Sequence, residues 1–160
     1  MMNEPFTKRA STVFLQVVVV LIAIGTLAAL LWEPHLEGRN TNATLFAIYF
    51  KDPFLTYVYI GSIPIFVTLF QAFKVLGYVR GNTVFSPAAM NALRTVQYCM
   101  LITAGAIVSA DAFLMIAAYG EDDPAGAVML GIITTVISIV IAAGAVVVEG
   151  VLKNGVEFRR

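Results

Sequence analysis

Asp111 is the one ionisable side chain set well inside a long apolar stretch, and there the sequence comes nearest to chemistry. On a helix it lies about eight residues, or roughly 12 Å, from the end of its run at 1.5 Å per residue. A bare carboxylate at that depth in a bilayer costs on the order of 2.5–3.5 kcal/mol, so it must be protonated, paired or solvated by a cavity. The same distance inward along the neighbouring runs reaches Thr26, then Ser62 close to Pro64, then Thr134 and Thr135. These hydroxyls and Asp111 are expected to form one polar layer facing the interior. Such a layer serves either as a proton, cation or polar-ligand site or as hydrogen-bonding glue between helices. No Lys, Arg or His sits at that depth to act as a counter-ion.

The other reactive types are scattered. His35 lies near Glu33 and Glu37, and Glu121, Asp122 and Asp123 form an acidic turn. One histidine among loop acids is a poor metal set, and the acidic turn reads as a solvated cap for the following helix. Cys99 is the single cysteine, so no intramolecular disulfide exists, and a lone thiol in an apolar run reads as a small packing residue. No Ser/His/Asp or Cys/His set can be assembled on one face of a membrane, and no phosphate-cradling glycine loop is present. The expectation is therefore no catalytic residue, no metal, no cofactor and no enzyme.

The elements that position these residues are four apolar runs, Thr12–Trp32, Leu55–Val79, Thr95–Ala118 and Ala125–Val148. Each exceeds the roughly 20 residues a helix needs to cross a hydrocarbon core of about 30 Å. In a chain of 160 residues that is 59% hydrophobic and 12% charged, they leave no length for a soluble domain of ordinary size. The mean hydropathy of +0.87 agrees. The fold class is all-α: one integral membrane domain over residues 1–160, built as a bundle of four transmembrane helices. The first run is too long for a signal-peptide core and reads as a retained anchor. Gly120 to Gly126 is a tight turn, so the third and fourth helices form an antiparallel hairpin. Pro64 removes a backbone hydrogen bond within the second helix and is expected to kink it.

Charge fixes the expected orientation. Lys8, Arg9, Lys74, Arg80, Arg94, Lys153, Arg159 and Arg160 flank the termini and the second loop. The other two connections carry mainly Glu33, Glu37, Asp52 and the acidic turn. The positive-inside rule places both termini and the second loop in the cytoplasm of a multi-pass protein of the inner (plasma) membrane. With a net charge of zero, direct nucleic-acid binding is not expected.

The second loop carries a start signal: Ser86 can cap and Pro87 can take the first helical position. From Pro87 to Ala118 the third helix would be about 48 Å long, so its first turns must leave the hydrocarbon core. Phe85, Ser86, Leu93 and Arg94 are expected to form a cytoplasmic docking surface. The arm Met1–Ser11 reads as polar and short, and the tail Val151–Arg160 as amphiphilic and cytoplasmic. Gln16, Gln71 and Gln97 are placed to hydrogen-bond between helices near the inner rim.

Several stretches also carry a likeness. Ile63 to Tyr78, Val84-Phe85-Ser86, Asn91 to Cys99 and Asp122 to Gly126 resemble the YoaS-like family of small bacterial four-helix membrane proteins, domain of unknown function 2975. The resemblance runs over essentially the whole chain. It implies a bacterial or archaeal inner-membrane protein without an established activity and without catalytic residues to carry over. Members of the family are often encoded beside a small helix-turn-helix regulator of the Cro type, which implies a membrane partner that controls or sequesters a DNA-binding protein. Three readings follow: a sensory or regulatory interaction protein, a transporter or channel subunit oligomerised around Asp111, and a structural membrane protein. Their partners are, respectively, a cytoplasmic DNA-binding regulator, further copies of the chain, and the lipid bilayer.

Overall fold

The computed structural model describes residues 4–32, 53–117 and 125–157. They form four helices: α1 (Glu4–Trp32), α2 (Pro53–Arg80), α3 (Pro87–Ala117) and α4 (Ala125–Glu157). All four are long and apolar enough to cross a membrane. At 1.5 Å per residue they are about 42 to 50 Å long, so their ends project beyond a core of about 30 Å. His35 with Glu33 and Glu37, and the turn Glu121–Asp123, lie outside the described residues.

Two helices extend into the expected polar arm and tail. α1 begins at Glu4, so most of the polar arm is helical. Pro5 falls in the first turn, where a missing N–H costs nothing. α4 continues through the tail to Glu157. α2 runs unbroken through Pro64, and Pro53 opens it.

The extensive contacts follow chain order: α3 with α4 most of all, then α2 with α3, then α1 with α2. The inward residues of α4 repeat at alternating spacings of three and four. Val128, Gly131, Thr135 and Ser138 lead into Ala142, Ala145 and Glu149, then Leu152 and Val156, and all are buried or half-buried. This is the seam spacing of a coiled coil. It is filled by small and polar residues, which allow close backbone approach in lipid. α3 in turn buries Ala89, Ala92, Leu93, Val96, Met100, Thr103 and Ala104. Leu93, Val96, Met100, Ala142 and Ala145 form the core cluster, with Ile65, Val75 and Leu152 packed against it. The large aliphatics of α4, such as Leu130, Ile137, Val140 and Val147, point outward, as a lipid-facing surface requires.

Polar side chains join the remaining pairs. Gln16 Nε2 donates to the Phe73 carbonyl at 3.3 Å near one end of the α1–α2 contact. Tyr59 donates to the Leu30 carbonyl at 2.9 Å near the other. The Tyr57 hydroxyl donates to the Ala106 carbonyl at 2.9 Å and shares a 2.6 Å hydrogen bond with Ser109 Oγ, tying α2 to α3. Gly61 also lies at this contact, where an added Cβ would meet Ala106 at an ordinary van der Waals distance of 3.7 Å.

The α2–α3 loop is defined by its caps. Thr83 N–H donates to the Tyr78 carbonyl and Asn82 N–H to that of Val79, at 2.9 and 3.2 Å. This pair of bonds is a Schellman stop, and Asn82 holds its left-handed position with φ of 54°. Ser86 Oγ accepts from the Ala89 N–H at 3.3 Å and caps α3, with Pro87 in the first turn. A β-branched residue at position 82 meets the left-handed steric penalty. Asn82→Val is expected to lower stability by about 1–2 kcal/mol, while Asn82→Gly loses nothing. Equilibrium unfolding in mixed micelles reads both.

Candidate functional site

The α3–α4 seam carries a polar station at each end. At one, the Asp111 carboxylate lies against the bare backbone of Gly131, where any Cβ would collide with both carboxylate oxygens and Cγ. Glycine is therefore the residue that leaves room for the acid. No described residue donates a hydrogen bond to this carboxylate. One turn along α4, Thr135 Oγ1 is buried without a hydrogen-bond partner among the described residues. Thr134 is exposed and returns its hydroxyl to the Leu130 carbonyl at 2.7 Å.

Thr26 and Ser62 lie elsewhere. They line a mostly apolar cavity of about 150 Å³ between α1, α2 and α3, together with Leu30, Tyr57, Thr103 and Ala106. Ser62 donates to the Tyr59 carbonyl at 2.7 Å and Thr103 to that of Cys99 at 2.9 Å. Their hydroxyls are thus satisfied within their own helices. The single layer expected from depth divides into two sets on different helix interfaces: Asp111 with Gly131 and Thr135, and Thr26 with Ser62. Depth sets the level of a residue along the membrane normal, whereas the side of the helix decides which neighbour it meets. Pro64 is half-buried within the continuous α2. Beside the cavity, Pro53, Phe54, Tyr57, Ser109 and Phe113 line an open groove of about 360 Å³, with Phe54 and Phe113 stacked at 5.9 Å.

The second station lies where α3 begins and α4 ends. Arg94 donates to Glu149 Oε1 through Nε at 3.2 Å and Nη2 at 2.8 Å. Lys153, one turn further along α4, reaches the same oxygen at 2.8 Å. The carboxylate is enclosed, with its side chain 8% exposed, while Arg94 and Lys153 are 46% and 51% exposed. Water therefore screens the cations, and the arrangement serves mainly to satisfy a buried acid. Beside it, the Phe85 ring lies on Gly155, where an added Cβ would come within 2.6 Å of Cε1.

This geometry changes the reading of the loop. Leu93 is part of the core cluster, Arg94 is bound to Glu149, Phe85 packs on α4 and Ser86 caps α3. Leu93 is buried, whereas Phe85 and Arg94 stay partly exposed while making these contacts within the chain. The glutamines differ among themselves: Gln16 bonds across helices, whereas Gln71 Oε1 is buried without a hydrogen-bond partner among the described residues. Glu149 was not singled out from sequence, because it follows the fourth apolar run directly. The signal available was its place in the alternating spacing that runs through Ser138, Ala142 and Ala145.

Four membrane-length helices, two of them zipped by small residues and ended by polar contacts, define an all-helical, multi-pass membrane protein. The model of a family described as a protein of unknown function, DUF2975, matches residues 37–160. The chain is also 32% identical over 153 residues to the uncharacterized membrane protein YoaS of Bacillus subtilis (strain 168), covering 94% of each. It belongs to this YoaS-like DUF2975 family. No solved structure matches it.

Two outcomes test the stations. Gly131→Ala is expected to destabilise the hairpin, and Asp111→Ala in the same chain to recover part of the loss by removing the colliding carboxylate. A double-mutant cycle in mixed micelles should show a coupling of about 0.5–3 kcal/mol; an additive result would separate the two residues. At the other end, Arg94→Gln or Lys153→Gln alone should lower the thermal midpoint slightly, because one cation still faces Glu149. The pair together should lower it by several degrees, and adding Glu149→Gln should restore it.

Proposed function

We propose that the chain is a sensory or regulatory interaction protein of the bacterial inner (plasma) membrane, with both termini and the α2–α3 loop in the cytoplasm. The orientation is supported by where the helices bring the basic residues. Arg9 of α1, Lys74 and Arg80 of α2, Arg94 of α3 and Lys153 of α4 all fall toward the end that carries the loop.

The observation that carries the regulatory reading is that both polar stations sit on the same helix pair. Asp111 and Arg94 are about 25 Å apart along α3. The seam between them packs closely, so a change in how α3 seats against α4 at Gly131 is felt at Glu149. In the closed hairpin the clamp keeps Leu93 covered and Phe85 on Gly155. Release of the clamp uncovers Leu93 and frees the already part-exposed Phe85 and Arg94 beside the Ser86 cap. That set supplies the apolar and basic surface for a soluble DNA-binding regulator, the partner implied by the family resemblance. The protein acts by binding rather than by catalysis.

A second reading, a transporter or channel subunit, rests on the Asp111 carboxylate, which no described residue pairs. Four helices are few for a pathway, so that version requires several copies around a shared axis. Partner capture from the native host in mild detergent tests the first reading. The clamp-opened Glu149→Gln chain, which keeps Arg94 and Lys153 but frees both from the carboxylate, should retain more of a DNA-binding regulator than wild type, and adding Phe85→Ala should return retention to background. Equal retention by all three chains removes the docking proposal. A cation or proton flux in liposomes, abolished by Asp111→Asn in a folded protein, would favour the transporter.

A further inference from the structure

At the loop end, α1 and α2 enclose a groove of about 520 Å³ lined by Arg9, Val13, Gly77, Arg80 and Gly81. Both arginines stand at the ends of apolar spans, Arg9 opening that of α1 and Arg80 closing that of α2. Both are exposed, and no described carboxylate pairs with either, in contrast to Arg94 and Lys153, which share Glu149. Three of the last carbonyls of α2 beneath them are hydrogen-bonded. The Gly77, Tyr78 and Val79 carbonyls at the end of α2 accept from the N–H groups of Gly81, Thr83 and Asn82. Gly77 carries no side chain to fill the groove, and Gln16 stands 3.8 Å from where its Cβ would be. Val13, on the membrane side, is exposed and apolar.

We infer that this groove binds the phosphate of an anionic phospholipid headgroup, gripped between Arg9 and Arg80 while an acyl chain lies along Val13. Guanidinium forks match phosphate oxygens in pairs. Basic pockets between membrane helices at the bilayer rim are suited to such headgroups. The site is separate from both stations of the α3–α4 hairpin and does not depend on the regulatory reading.

The test uses the full chain in a neutral detergent, with binding read from the rise of the thermal midpoint as lipid is titrated. The probes are dioleoylphosphatidylglycerol, dioleoylphosphatidylcholine and inorganic phosphate. Wild type is expected to select phosphatidylglycerol. Arg9→Gln/Arg80→Gln should bind it roughly thirtyfold more weakly, as follows from removing two basic contacts at a membrane surface. Lys74→Gln, which removes a charge that lies over the Phe70 ring outside the groove, should match wild type. The assignment is overturned if Lys74→Gln weakens binding as much as Arg80→Gln, since diffuse surface charge then suffices. It is also overturned if wild type does not distinguish the two lipids, or if inorganic phosphate stabilises it as strongly as phosphatidylglycerol. The wild-type comparison stands whether or not the double variant folds.

Discussion

In a bilayer, apolar side chains gain little by meeting one another instead of lipid, so helices associate through close backbone approach and buried polar contacts. α4 is arranged around that constraint. Its bulky residues are turned outward, and the seam it shows α3 is made of Gly131, Thr135, Ser138, Ala142 and Ala145. The hydroxyl of Ser138 is returned to its own helix, to the Thr134 carbonyl at 2.8 Å, so that position is small and polar without leaving its hydroxyl unpaired. Everything else at the α3–α4 interface depends on the distance this sets. Gly131 can carry Asp111 only because the helices are close, and Glu149 can reach Arg94 for the same reason.

Antiparallel helices share one register, and the two ends of the hairpin agree on it. Asp111 opposes Gly131 at one end, Arg94 opposes Glu149 at the other, and Phe85 then meets Gly155 beyond them. The polar groups act as register marks along a surface that would otherwise tolerate sliding, since small residues interlock weakly. A charged mark near the water and an acid against glycine deeper down fix the same alignment by different physics. One satisfies a buried carboxylate with screened cations, and the other excludes every side chain larger than hydrogen.

Much of this architecture was legible in the residues. The four helices, the α3–α4 hairpin, the Ser86 cap and Pro87 in the first turn of α3 follow from run lengths and local backbone chemistry, which tertiary packing does not override. The composition of the polar sites was less so. Thr26, Ser62, Asp111 and Thr135 were counted to one depth from the ends of their runs, but run ends do not set the register between helices: Gly61 and Ser62 fall beside Thr103 and Ala106 rather than beside Asp111. In a membrane helix the inward face is marked by small and polar residues rather than by large apolar ones, so a search for the most apolar side points away from the seam. Glu149 illustrates the point: beside an apolar run it reads as a boundary, whereas its spacing from Ala142 and Ala145 makes it the last inward residue before Leu152. The docking residues Phe85, Leu93 and Arg94 were visible as apolar and basic groups near one end, but their intramolecular partners on α4 were not.

The packing of each helix on its successor also bears on how the chain is assembled. Of the four helices α1 is made before the others, yet its extensive contacts are with α2 alone. It must therefore wait in lipid until the Gln16 and Tyr59 bonds to α2 can form. Each later helix finds its chain predecessor already in place, although the principal neighbour of α2 is α3 and that of α3 is α4. Contacts between chain neighbours allow assembly in the order of translation, a low-contact-order route that favours rapid folding. The same order leaves the tightest interface, α3 on α4, to form last, so that the most recently inserted helix secures those that preceded it.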